Sequence, residues 1–247
     1  MADARRTALI TGSGRNIGKA TALRLAADGF NVVINGSSDQ GACNAVAAEV
    51  AAAGVESSVI MADVGDKADA RRMVAEAIER FGGVDVLVNN AALRPIDKFL
   101  ECDDDDWQRV IDVNLNGAIW LAKACLPGMV ERGWGRIVNF AGMNAIHGYS
   151  GRAHVSVSKH GSWGLTKALA KEFAPNGITV NIISSGPIQP ESASPEELEH
   201  LEDTKKRVPM NRMGDPSEIA ATVGWLVSDG GAFTTGQLLQ VNGGAQT

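Results

Sequence analysis

A short apolar run, Thr7-Ala-Leu-Ile-Thr11, leads into the glycine-rich turn TGSGRNIG and then into a helical pattern carried by Ile17, Ala20, Leu23 and Leu25. Strand, turn and helix in that order aim backbone N–H groups and the positive end of a helix dipole at one spot, as pyrophosphate binding requires. Gly12 and Gly14 alone would be explained by any tight turn that needs backbone freedom. Context constrains more: Asn31-Val-Val-Ile-Asn35 follows at the spacing of a βαβ unit, and Ser57-Ser-Val-Ile-Met61 follows that. Strands alternating with helices dictate an α/β fold built on a parallel sheet with right-handed crossovers.

The 247 residues show no Pro/Ser-rich linker, charge block or low-complexity segment, so a single domain over 1–247 is expected. A net charge of −6 with no Lys/Arg cluster argues against nucleic acid, which needs a basic face. No apolar segment has the length of a signal peptide or a bilayer span, so no membrane partner and a cytoplasmic location are expected. Cys43, Cys102 and Cys125 are odd in number and far apart, which suits small packed thiols in a reducing compartment. The four histidines contain no i, i+4 pair and no cysteine has ligand spacing, so no metal is expected.

Residues at the strand ends carry the candidate binding chemistry. The second strand ends Asn35-Gly36-Ser37-Ser38, without the acid that would accept from a ribose 2′-hydroxyl and repel a 2′-phosphate. With Arg15 in the glycine loop as a phosphate partner or a solvated charge, this leans towards NADP(H) over NAD(H). Asp63, past the third strand, is either an acceptor for an adenine amino group or the cap of a helix from about Asp66 to Phe81. The fourth strand, Val84–Val88, ends in Asn89-Asn90-Ala91-Ala92, small enough at its end for backbone to pass beside a cofactor.

Asp103–Asp106 reads as a solvated start to one long helical pattern through Trp107, Val110, Ile111, Leu115 and Trp120, not as a metal site. Asn114 is a polar residue on its apolar face and needs partners if buried. Gly135 to Lys171 reads as a buried strand, a reactive loop and a long helix. A strand over Gly177–Ile183 follows, then a partly helical excursion over 189–213 that suits a substrate lid, with a capping box at Ser194-Pro-Glu-Glu197. Asp215-Pro-Ser-Glu218 caps a further helix, and Gln237–Val241 supplies a last strand.

Placed in order, these pieces resemble the short-chain dehydrogenase/reductase superfamily over nearly the whole chain, most closely its 3-oxoacyl-carrier-protein-reductase-like members. The matches are TGSGRNIG, Asp63-Val64, NNAA from Asn89 to Ala92, Trp107 with VNLNG from Val113 to Gly117, Gly186-Pro187-Ile188, RMGDPSEIA from Arg212 and TGQLLQVNGG from Thr235. The resemblance implies a Rossmann-like, doubly wound, seven-stranded parallel sheet that binds NAD(H) or NADP(H), acts on a small molecule and forms a homotetramer or dimer. Gly12, Ile17, Asp63, Asn89 and Lys159 match the family's cofactor positions, and Arg15, Asn16, Gly18, Ser37, Val64, Ala91, Gly186 and Ile188 are expected to bind the cofactor beside them. Asn16 stands where the family has its second motif glycine.

The family's catalytic set is Asn, Ser, Tyr and Lys, and here only Asn114 and Lys159 remain. The tyrosine and serine positions hold Val155 and Gly142. Valine cannot donate a proton, and general acid/base help is worth ~10²- to 10⁴-fold in rate. Substitutes within reach in sequence are His154, Tyr149, His147 and His160; His154 also reads as a helix-start or interface residue and Tyr149 as packing. Three readings follow: an NAD(P)-linked oxidoreductase of a carbonyl, imine or alcohol with an altered proton relay; a silent cofactor-binding or hetero-oligomer partner; and a non-redox lyase or isomerase.

Overall fold

The protein is described by a computed structural model covering residues 5–191 and 195–246, without the side chains of 144–145 and 195–200. Seven strands, β1 (Thr7–Ile10), β2 (Asn31–Gly36), β3 (Ser57–Met61), β4 (Val86–Asn89), β5 (Gly135–Phe140), β6 (Ile178–Ser185) and β7 (Leu238–Val241), form one sheet. Its order is β3-β2-β1-β4-β5-β6-β7, with every pair parallel. The chain starts in the middle, runs to one edge, returns beside β1 and runs to the other. That reversal opens a crevice at the carboxyl ends of β1 and β4, where doubly wound sheets hold ligands.

Both faces are covered, which explains why β1, β5 and β6 are buried end to end. On one face lie α1 (Asn16–Ala27), α2 (Gln40–Ala51) and α9 (Pro216–Val227), packing Leu25, Val46 and Val223 onto Ile10, Ile34 and Val88. On the other, α3 (Lys67–Phe81), α5 (Gly117–Arg132) and α7 (Ala153–Phe173) pack Met73, Leu121, Met129 and Ala170 onto Leu9, Leu87 and Ile137.

Several boundaries differ from expectation. β4 begins at Val86, paired with Ala8, rather than at Val84, and Asp85 just before it accepts from the Thr7 N–H and from Arg132 through its carboxylate. Asp66, not Asp63, caps α3, its Oδ1 accepting from the Asp69 N–H at 2.9 Å. The long helix expected after Asp103 is α4 (Asp104–Ile111), a π-helical turn over Asp112–Asn116, and then α5. The segment 189–213, expected as a lid, carries α8 (Pro195–Lys206); Ser194, the cap expected for it, lies outside the described residues. A short α6 (Asn144–His147) interrupts the loop after β5.

Candidate active site

The glycine turn is locked to its neighbours by side chains at the strand ends. Asn35 accepts from the Gly12 N–H through Oδ1 and donates through Nδ2 to the Ile60 and Ala62 carbonyls. Thr11 Oγ1 accepts from the N–H groups of Asn90 and Ala91 at 3.0 Å each, while Asn90 Nδ2 donates to the Thr11 and Gly12 carbonyls. Gly12 adopts φ +61°, and a Cβ on Gly18 would lie 2.2 Å from the Gly12 carbonyl oxygen, so neither position admits a side chain without rebuilding the turn. Asn16 sits at φ +47°, the left-handed region that asparagine tolerates better than most residues. The substitution for glycine therefore keeps the backbone shape.

The turn walls a groove of about 520 Å³ with Arg15, Asn16, Ile17, Ala91, Ala92, Arg94, Gly186 and Ile188. The start of α1 opens onto it, and the Asn16 N–H donates to Glu191 Oε1 at 2.6 Å while Asn16 Nδ2 donates to the Gln189 carbonyl at 2.9 Å. A carboxylate already seated on the first N–H of the helix shows that this end accepts an anion, so the residues fit a dinucleotide pyrophosphate. At the end of β2, Arg15, Gly36, Ser37, Ser38 and Asp39 line a smaller recess of about 160 Å³. The acid missing from Asn35–Ser38 is thus supplied one residue later, with Asp39 Oδ1 also capping α2 through the Ala42 N–H.

Asp63 does not stand free. Oδ1 accepts from the Gly65 N–H at 2.8 Å and Oδ2 pairs with Arg109 at 2.8 Å, so an adenine amino group would share an engaged carboxylate. Val64 is buried, with its carbonyl against Gly117. Asn89 donates to Asn139 Oδ1 at 2.8 Å, leaving its own buried Oδ1 without a partner.

Beyond the groove lies a cavity of about 640 Å³ between the β5–α7 loop, the β4 loop and α8. Gly142, Val155 and Lys159 line it together, with Tyr149, His147, Gln246, Arg94, Arg152 and Arg207. Val155 and Lys159 lie one helical turn apart on the buried face of α7. Lys159 is 4% exposed and its Nζ donates to the Phe140 carbonyl at 2.7 Å. Burial, with a smaller push from the Arg94 charge, lowers its pKa to about 7. Gly142 adopts φ +67°, and among the described residues no atom beyond its chain neighbours lies within 4 Å of where its Cβ would be.

His154 and His160 lie away from the cavity, and Asn114 is buried with the partners a polar residue there needs. His154 does not line the cavity: its ring is 1% exposed, with Nδ1 accepting from the Val155 N–H, Nε2 at 3.1 Å from Asp97 Oδ2, and one face towards Trp107. It turns away because it is a sequence neighbour of Val155, about 100° round the helix. Asp97, Cys102 and His154 bring three potential ligand atoms together. With Nδ1 accepting, however, the ring proton sits on Nε2 and faces Asp97. Asn114 is buried at the π turn, accepting from the Leu93 N–H and donating to the Leu93 carbonyl and Ser158 Oγ, which makes it a clamp on the β4 loop. His160 is exposed and bonds the Ser156 carbonyl.

A family profile described as Enoyl-(Acyl carrier protein) reductase matches residues 12–246. A 3-oxoacyl-[acyl-carrier-protein] reductase of Staphylococcus epidermidis is 36% identical over 239 residues, covering 97% of this chain and 98% of that protein. The chain belongs to the short-chain dehydrogenase/reductase family. An acetoacetyl-CoA reductase of Allochromatium vinosum is 38% identical over 240 residues, covering 97% and 98% of the two chains. Among solved structures, the acetoin dehydrogenase of Enterobacter cloacae superposes with a TM-score of 0.90 at 33% identity, covering 99% of this chain and 96% of that one.

Its homologues in this family are oxidoreductases that use nicotinamide cofactors. Sequence reasoning missed Asp39, Glu191, Arg94, Arg152, Arg207 and Gln246. Arg94 had a usable signal in its place two residues after Ala92, where the β4 end already pointed at a ligand.

Proposed function

We propose that this chain is an NAD(P)-linked oxidoreductase of a small carbonyl, imine or alcohol substrate in which Lys159 itself carries the proton. The carrying observation is that its buried Nζ lies on the wall of the cavity beside Val155 and Gly142, with its pKa lowered to about 7. A lysine poised near neutrality is half protonated at working pH, the condition under which an acid/base group is most effective. When bound, the nicotinamide supplies or takes the hydride. Lys159 then gives its proton to the substrate oxygen or nitrogen in reduction and takes one in oxidation, and the Phe140 carbonyl holds the ammonium in place between turnovers.

Gly12, Arg15, Asn16, Ile17, Gly18, Ala91, Gly186 and Ile188 hold the cofactor in this reading, with Lys159 at its reactive end. Asp63, Val64 and Asn89 support its adenosine side. Arg15 beside Ser37 favours a 2′-phosphate and Asp39 in the same recess opposes it, so the preference for NADP(H) over NAD(H) rests on Arg15. Tyr149, about half exposed at the cavity, contacts substrate rather than relaying protons. Ile96, Phe99 and Leu100 are exposed and suit burial between copies in a dimer or tetramer.

The test is the pH profile of kcat/KM in both directions, with Lys159→Met as control. Reduction should fall and oxidation rise as pH passes through about 7, and both should vanish in the variant. Val155→Tyr should restore a phenolic donor and raise reduction by ~10²-fold or more. Cofactor binding with no turnover of any carbonyl, imine or alcohol would select the second reading, a silent binding partner. That reading is favoured by the absence of a hydroxyl at Gly142 and Val155.

A further inference from the structure

The cavity beside Lys159 carries a charge that stands out against the rest of the molecule. The chain has 29 acidic and 23 basic residues, yet Arg94, Arg152, Arg207 and Lys159 line this one space with His147 and, among the described residues, no carboxylate. Arg24, Arg72, Arg109, Arg132 and Arg212 each hold an acid, and Arg5 and Arg136 each donate to backbone carbonyls. No side-chain hydrogen bond or ion pair joins Arg94, Arg152 or Arg207 to a partner among the described residues.

The arginines come from three separate segments. Arg94 follows Leu93, whose N–H and carbonyl are both clamped by buried Asn114. Arg152 begins α7, and the loop before it is pinned where the Asp97 N–H donates to the Gly151 carbonyl at 2.8 Å. Arg207 follows α8 at the lid side. Arg152 is half-buried, while Arg94 and Arg207 are exposed where the cavity meets solvent, and Arg94 and Arg152 lie close enough for their charges to repel. Like charges held together are electrostatically unfavourable, and an anion between them offsets that cost. Gln246, 6% exposed and with a buried Oε1 that has no partner, adds a neutral polar group to the same wall.

We propose that the substrate is itself an anion, carrying a carboxylate or phosphate that seats on Arg94, Arg152 and Arg207 and so brings its reacting group to Lys159. The proposal rests on the oxidoreductase reading for the reacting group, and on the arginines alone for the anion. Because Arg94 borders both groove and cavity, the anion would sit close to the bound cofactor, and its charge would favour the protonated form of Lys159. Anion binding would then prime the proton donor for reduction.

The test is calorimetric titration of the full chain with acetate, methyl phosphate and, as the uncharged counterpart, acetamide. At least one anion should bind ten-fold or more tightly than acetamide, and the two anionic arms separate carboxylate from phosphate. Arg152→Gln with Arg207→Gln, both outside the dinucleotide groove, should bring that anion close to the acetamide level, since charge-assisted bonds are each worth roughly ten-fold or more. Melting temperatures establish that the variants fold, and Arg152→Lys should lose less than Arg152→Gln. Anions that bind no better than acetamide, or equally well in the double variant, overturn the proposal. Anion binding without turnover of any substrate defeats the oxidoreductase reading and leaves the anion site standing. Turnover of neutral ketones without anion affinity does the reverse.

Discussion

Gly142 is more than a serine without its hydroxyl. At φ +67°, with open space around its missing Cβ, it holds a backbone shape that any L side chain adopts at a cost of about 1–2 kcal/mol. Gly142→Ser should therefore lower stability by about 1 kcal/mol despite the room available, read as a lower urea midpoint with an unchanged slope. An unchanged midpoint would mean that the loop relaxes to the family's usual shape. Lys159 gives the second residue-scale prediction. Its folded pKa of about 7 lies below the ordinary 10.5, so between those values the unfolded chain binds more protons and stability rises with pH. Below about 7 the lysine is charged in both states and the burial cost is fully present. Lys159→Met should thus be more stable than wild type at pH 6, and the advantage should shrink by pH 9. Equal differences at the two pH values would show that the ammonium is not desolvated.

At the scale of elements, the strand–turn–helix units were legible because periodicity and caps are local signals. Asp215-Pro-Ser-Glu218 caps its helix as read, and the structure makes the cap a reciprocal box, with Asp215 Oδ1 accepting from the Ser217 N–H and Glu218 Oε2 from the Asp215 N–H. The π turn at Asp112–Asn116 was not legible, since one added residue per turn leaves the apolar stripe nearly intact. Nor were contacts made across great sequence distance, such as the convergence of Arg94, Arg152 and Arg207, or Glu191 on Asn16. The last of these couples the lid segment to α1. A cofactor phosphate seeking the same N–H must displace the Glu191 carboxylate, and a charge at a helix start is worth ~0.3–1 kcal/mol. Glu191→Gln should tighten cofactor binding by roughly two- to five-fold in a fluorescence titration. Weaker binding instead would identify Glu191 as a cofactor ligand.

For the whole molecule, the order β3-β2-β1-β4-β5-β6-β7 makes the cofactor groove a property of the entire sheet. The groove is bounded by the ends of β1 and β4 and by Gly186, which follows β6, while two continuous cores bind the helices to both faces. A ligand there touches segments from the first strand to the penultimate one, so it should stabilise the protein as one cooperative unit. Dinucleotide at a hundred times its Kd adds ~2.7 kcal/mol to the folded state. For a chain of this length that corresponds to a rise in Tm of roughly 5–11 °C, in a single calorimetric transition. If Arg15 reads a 2′-phosphate at the β2 end, NADP should raise Tm more than NAD at equal concentration, and Arg15→Gln should bring the two together. A larger shift with NAD would instead assign the recess to Asp39 holding a ribose 2′-hydroxyl, and a transition that splits in two on binding would show that the sheet does not unfold as one body.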